Sequence, residues 1–221
     1  MSPPPAAPGR WRHAAPTSLS FPRRLAEASV VAFLTATLYF EAGAHGGPAR
    51  APPEVAADLR IPFLVATIWL YLPGYVGCFL LCVTALTDRR AFRSALLAFL
   101  VVGVVASSVF VAWPTPSPPR GPVPSGTMTF ALLGWLYAHD PPANAFPSLH
   151  VANAGMCAAI TARVRPRWRW AAWSLAIGVI VSTLTLRQHW LADVAGGVAL
   201  GVAGMSLWRV LWERTPTSAP R

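Results

Sequence analysis

The sequence predicts an all-α integral membrane protein, a six-helix bundle with a short or interfacial helix in the connection between spans 3 and 4. Three observations lead there. Of 221 residues, 54% are hydrophobic and only 12% charged, and the mean hydropathy is +0.47; this balance belongs to a multi-pass membrane chain. Apolar runs long enough to span a bilayer recur along the chain and are separated by polar, Pro-rich or Arg-rich connections. The basic residues, all 18 of them arginine, cluster at the ends of those runs instead of striping one face. That distribution argues against a nucleic-acid-binding domain despite the formal charge of +10.

Residues 1–24, rich in Pro and Arg and without apolar periodicity, are expected to form a disordered basic tail. The membrane domain follows over 25–212, and 213–221 read as a second polar tail. The first span is expected over 25–44. Its end, Ala42-Gly-Ala44, resembles a signal-peptidase site, but the long preceding tail favours a retained helix. Glu41 reads as an interfacial carboxylate.

The second span is expected over 61–86, kinked at Pro73-Gly74, and the third over 91–113 after the polar turn Asp88-Arg-Arg90. Prolines crowd the segment from Trp113 to Pro124 too densely for a helix. Residues 127–138 are apolar on every side yet too short to span; Trp135 and Tyr137 suit the headgroup zone. Spans four, five and six are expected over 147–162, 170–186 and 190–212, with Pro166 breaking the chain between four and five. Gly197 and Gly201 in the last form a small-xxx-small pair suited to close helix packing. Cys78, Cys82 and Cys157 fall inside apolar runs without a metal or redox spacing and read as buried packing residues.

Fourteen arginines fall on one side of this layout and four on the other. The positive-inside rule then puts both termini in the cytoplasm of a cell-membrane protein. Arg120, His150, His189 and Asp193 all land on the opposite, extracytoplasmic side.

Their chemistry is specific in combination. His189 and Asp193 stand four apart, one turn of helix, so a carboxylate can orient the imidazole and leave its other nitrogen free as nucleophile or base. His150 supplies a second imidazole able to protonate a leaving oxygen. Arg120 supplies a planar cation matched to phosphate oxygens, and Arg187 a second. Nucleophile, orienting carboxylate, acid and anion clamp describe phosphoryl transfer through a phosphohistidine. A transporter lined by these charges explains the spans but not their convergence on one face; a haem protein ligated by the two histidines leaves Asp193 without a role. No cofactor is expected and no metal motif such as His-Glu-x-x-His is present.

Phe146-Pro-Ser-Leu-His150 followed by His189-Trp-Leu-Ala-Asp193-Val-Ala-Gly resembles the type-2 phosphatidic acid phosphatase superfamily of lipid phosphatases and phosphotransferases, over roughly 114–197. The resemblance implies His189 as nucleophile, Asp193 as its orienting acid, His150 as general acid and Ser148 as a phosphate-binding serine. It also implies a lipid phosphate as substrate and the bilayer as partner. There are departures. Leu149 replaces the glycine of the second motif, Thr183 stands where the third motif has arginine, and Trp113 takes the place of the first motif's lysine when Arg120 is aligned to its arginine. Arg187, one turn beyond Thr183, is the candidate substitute. These departures are similar to the branch containing inositol phosphorylceramide synthases, which implies headgroup transfer to a lipid alcohol as an alternative to hydrolysis.

Overall fold

The computed structural model describes residues 18–51 and 54–213. Of the tails expected over 1–24 and 213–221, residues 1–17 and 214–221 lie outside the described residues. The described chain is helical: α1 (Phe21–His45), α2 (Ile68–Ala85), α3 (Arg89–Ala112), α4 (Met128–His139), α5 (Leu149–Val164), α6 (Arg169–Thr185) and α7 (Leu191–Glu213). Among the described residues there is no strand, only the isolated bridges Ser18–Asp88 and Thr115–Asn144.

Local chemistry fixes most of the helix starts. Pro22 sits in the first turn of α1, where its missing N–H costs nothing, so the helix begins at Phe21 and takes in residues assigned to the tail by composition. Asp88, Thr127 and Ser148 cap α3, α4 and α5 by accepting from the backbone N–H of Ala91, Phe130 and Val151. Asp193 reaches back to the N–H of Trp190 at 2.7 Å, the carboxylate half of a capping box at the start of α7. The second helix starts later than its hydropathy suggests. Residues 61–64 are irregular, held by Leu64 N–H donating to the Thr185 carbonyl at 3.0 Å, and α2 runs on through Pro73.

Four helical segments are long and apolar enough to cross a membrane: Phe21–His45, Val65–Ala85, Arg89–Ala112 and Leu191–Glu213. This is a membrane protein. Helices α5 and α6, the expected fourth and fifth spans, have 16 and 17 residues. At ~1.5 Å per residue each is about 25 Å long, short of the ~30 Å hydrocarbon core. Their ends explain this: α5 is bounded by Pro147 and Pro166, and α6 ends at Thr185, two residues before Arg187, whose φ of 52° lies in the left-handed region.

Helix α5 is central, packed between α2, α6 and α7, while α3 joins α7 to α1. Close approach of α7 to α5 depends on absent side chains. A Cβ at Gly197 would lie 2.5 Å from the Ser148 carbonyl, and one at Gly201 would lie 3.0 Å from that of Ala152. The core joins Phe92, Phe110, Met156, Ile160 and Trp208, all essentially buried. Phe33, Val76, Val104, Ile177 and Val202 face outward, the arrangement expected where lipid is the solvent.

The connectivity sorts the polar groups into two ends. At one, Arg24, Thr87, Arg165, Arg163 and Glu213 meet across α1, α2, α5 and α7. At the other, the C-terminal ends of α1, α3 and α6 meet the N-terminal ends of α2, α5 and α7: Asn144 donates to the Tyr39 carbonyl at 2.6 Å, and Thr67 bonds Thr185 at 2.8 Å. Every residue singled out for chemistry lies at this second end.

Candidate active site

Two short joints build the site. Between α6 and α7, the backbone N–H groups of Gln188 and His189 both donate to the Thr183 carbonyl, at 2.9 and 3.2 Å, which folds the chain back and presents His189 just ahead of α7. Before α5, the cis Phe146–Pro147 bond leads into Ser148, whose N–H donates to the Asp193 carbonyl at 3.0 Å. The first turns of α5 and α7 are thereby stitched together. His150, in the first turn of α5, comes to face His189 with ring centroids 6.1 Å apart.

The two imidazoles are held differently. His189 Nδ1 lies 2.9 Å from the Ala145 carbonyl and 3.6 Å from Asp193 Oδ2. The carbonyl can only accept, so Nδ1 carries the proton and Nε2 keeps its lone pair in the neutral ring. Asp193 is fully buried, with Oδ2 committed to Trp190 N–H and Oδ1 without a partner. His150 stands among tyrosines: the Tyr71 hydroxyl is 3.1 Å from Nε2 and 3.3 Å from Nδ1, and the Tyr71 and Tyr75 ring centroids are each 5.0 Å from its own.

Arg120 reaches this end from the Pro-rich segment and is heavily engaged. Its Nη2 donates to Asp140 Oδ2 at 2.7 Å and Gln188 Oε1 at 3.0 Å, and its Nη1 donates to the carbonyls of Asp140 and Tyr137 at 3.2 and 3.3 Å. All four Nη hydrogens are thus used, and only Nε–H is unpartnered. Asp140 is in turn fixed by the Tyr39 hydroxyl at 2.6 Å. Burial pushes the Tyr137 phenol up, and it donates to the Leu186 carbonyl at 2.9 Å.

The six residues expected at the site therefore divide. His150, His189 and Asp193 are brought together, with Arg120 joined to them through Gln188, the chain neighbour of His189. Ser148 is fully buried and caps α5, its Oγ accepting from Val151 N–H at 3.3 Å. Arg187 is exposed and turns toward the Phe63 ring, 5.9 Å away, on the wall of a pocket of about 170 Å³ that also reaches His189. Sequence reasoning missed Asp140, Gln188, Tyr39 and Tyr71. Gln188 stood within the Arg187-Gln-His189 motif, and Asp140 five residues before the stretch from Ala145 to His150. Nothing local marked the tyrosines, which come from α1 and α2.

The electrostatics suit an anion. The N-terminal ends of α5 and α7, each a partial positive charge, converge beside the histidines. Two buried donors on residues linked to His189, Arg120 Nε and Gln188 Nε2, have no partner, the pattern left where a ligand or water completes the bonding. Searches among curated proteins and among solved structures gave no match. The model of one family, described as the PAP2 superfamily, matches residues 55–207, and the stretch holds all the site residues named above except Tyr39. The chain belongs to the PAP2 superfamily.

Proposed function

We propose that the protein hydrolyses or transfers the phosphate of a lipid phosphate through a phosphohistidine, on the extracytoplasmic face of the cell membrane. The observation that carries the reading is the pair of imidazoles 6.1 Å apart, with Gln188, the chain neighbour of His189, bonded to Arg120, each of the two keeping one unpartnered N–H donor, Gln188 Nε2 and Arg120 Nε. Family membership supports the enzyme class.

With Nδ1–H held by the Ala145 carbonyl, His189 Nε2 attacks phosphorus as the phosphorus–oxygen bond to the lipid breaks. Protonated His150 gives its proton to the departing alkoxide, releasing a lipid alcohol. The phosphorylated imidazole is cationic, and the Asp193 carboxylate 3.6 Å away stabilises it. Water, or an acceptor alcohol, then gives a proton to His150 and attacks phosphorus. The nitrogen–phosphorus bond breaks, leaving phosphate or a new ester and restoring both imidazoles. Arg120 Nε–H, Gln188 Nε2–H and the ends of α5 and α7 take up the charge of the non-bridging oxygens, with Ser148 and exposed Arg187 as further donors. No metal takes part in this scheme.

Six membrane-crossing segments with both termini in the cytoplasm complete the proposal, α5 and α6 being the short ones at the centre. Headgroup transfer to a lipid alcohol, as in the inositol phosphorylceramide synthase-like branch, uses the same first step. The test is the intermediate. Protein incubated with a ³²P-labelled lipid phosphate and quenched in alkaline detergent should carry base-stable, acid-labile label, and His189→Ala should lose both label and turnover while inserting normally. Full activity in that variant, or activity removed by chelators and restored by a metal, would overturn the mechanism.

A further inference from the structure

The end of the bundle remote from the histidines holds a second cluster of cations. Arg24, in the first turn of α1, donates Nη1–H to the Leu86 carbonyl at 3.2 Å. Arg165, at the end of α5, donates Nη2–H to Thr87 Oγ1 at 3.3 Å. Two guanidinium groups from different helices thus converge on consecutive residues of the α2–α3 turn, near enough for Arg24 to feel the like charge of Arg165. We infer that they form an anion site separate from the catalytic one, and that it takes the phosphate of an anionic lipid headgroup.

What is missing is a counter-charge. Arg24 is only 5% exposed, and its Nε has no partner. In the first turn of α3, Arg90 Nη2 is likewise buried without one. A buried cation is costly unless it is paired. Yet among the described residues Arg24, Arg90 and Arg165 enter no ion pair.

Nor does the chain hold a carboxylate in reserve. Glu41, Glu54, Asp58, Asp140 and Asp193 belong to the histidine end. At the other end Glu27 is taken by Arg23 and Arg93, and Glu213 by Arg163 and Arg209. Asp88 is turned to the backbone N–H of Ala91, capping α3. These are all the acidic residues of the sequence, so residues 1–17 and 214–221 contribute none. The counter-anion has to come from outside the chain.

Chemistry and depth identify it. Guanidinium forks match phosphate oxygens, and Thr87, which accepts from Arg165, keeps its hydroxyl proton to donate. Arg24 stands in the first turn of a helix long enough to span, which is the level of lipid headgroups. Exposed Phe21 and Trp170 flank the cluster in the first turns of α1 and α6, where aromatic rings suit the interface.

The test uses the full chain purified in detergent, with retained lipid counted by native mass spectrometry. Dioleoyl phosphatidylglycerol should be held about tenfold more tightly than dioleoyl phosphatidylcholine. Arg24→Gln should weaken that binding about tenfold, and His189→Ala should leave it unchanged. Arg167→Gln, which alters an exposed arginine at the same end, should weaken it less than about twofold. If Arg24→Gln does not fold, Arg165→Gln, at a partly exposed position, makes the same comparison. Equal binding of the two lipids, or equal losses in Arg24→Gln and Arg167→Gln, overturns the site in favour of a diffuse positive field. Loss in His189→Ala with retention in Arg24→Gln assigns the lipid to the active site and overturns it as well. Inorganic phosphate at millimolar concentration should not displace the lipid; displacement keeps the anion site and overturns its lipid source. None of these readouts needs turnover, so the site and the phosphohistidine reading fail separately.

Discussion

His189 Nδ1 is closer to the Ala145 carbonyl, at 2.9 Å, than to Asp193 Oδ2, at 3.6 Å. The tautomer of the proposed nucleophile is therefore set by a main-chain oxygen from the α4–α5 connection, and Asp193 acts on it mainly through charge. Asp193→Asn tests that division. In triads where the carboxylate alone fixes the tautomer, this exchange costs about 10⁴-fold in kcat. Here the expected loss is smaller, about 10²-fold, because Ala145 still holds Nδ1–H, and an Asn oxygen can still accept from Trp190 N–H. Steady-state kinetics decide it. A loss of 10⁴ would mean that Ala145 does not fix the ring.

Asp193→Ala should separate catalysis from folding. It removes the charge and the acceptor for Trp190 N–H at the start of α7. A lost helix cap costs about 1 kcal/mol, so a lowered melting temperature is expected for Ala and not for Asn. Equal melting temperatures for the two variants would show that the Trp190 contact contributes nothing.

The pair Arg120–Asp140 calls for a double-mutant cycle. Both side chains are largely buried, with 14% and 13% of their surface exposed. Removing one partner strands the other, at a cost of about 3 kcal/mol for a buried pair. Arg120→Gln and Asp140→Asn should each destabilise by that order, and together by less than their sum, with a coupling of about 2 kcal/mol. Additive losses in chemical denaturation would show that the pair does not act as a unit. Activity should fall in both single variants, since Asp140 holds the guanidinium whose Nε–H is proposed to meet the phosphate.

Glycines along α7 and α5 give a paired packing test. Gly197→Ala puts a Cβ 2.5 Å from the Ser148 carbonyl and 2.9 Å from Val151 Cβ, a clash with backbone that cannot move without shifting His150. A destabilisation of about 2 kcal/mol and a loss of activity are expected. Gly155 faces open space, so Gly155→Ala should stabilise by up to about 1 kcal/mol through helix propensity. Thermal unfolding of the two variants should move in opposite directions.

How far the sequence could be read depended on how far apart the cooperating residues lie. The helices follow hydropathy and caps, both local, and Met128–His139 emerged where a short apolar run was expected. His189 and Asp193 are one turn apart, so their meeting was legible; so was the approach of α7 through Gly197 and Gly201. The role of Ala145 was not, because a main-chain carbonyl leaves no mark on residue identity. Nor was the engagement of Arg120, whose partners Asp140 and Gln188 lie 20 and 68 residues away. The lengths of α5 and α6, by contrast, were legible: 147–162 and 170–186 were expected, and helices of 16 and 17 residues formed over Leu149–Val164 and Arg169–Thr185, shifted by one or two residues where Ser148 and the chain around Pro166 set the ends.

Topology provides the last prediction. Arg89, Arg90, Arg93 and the run from Arg163 to Arg169 gather at the end of the bundle opposite the histidines. If that end is cytoplasmic, as a positive-inside distribution requires, a reporter fused after Arg221 should read cytoplasmic. In a background with the three native cysteines replaced, a cysteine at Glu54 should then react with a membrane-impermeant maleimide added outside intact cells. Glu54 is exposed and lines the small pocket beside His189 and Arg187, so the second result reports the side on which the site opens. A cytoplasmic reporter with an unreactive Glu54→Cys would place the site inside, and an external reporter would invert the whole arrangement. Moving the charge should do the same by design: replacing Arg163, Arg165, Arg167 and Arg169 with Gln while adding arginines to the loop around Arg50 should shift a measurable fraction of the protein to the inverted orientation.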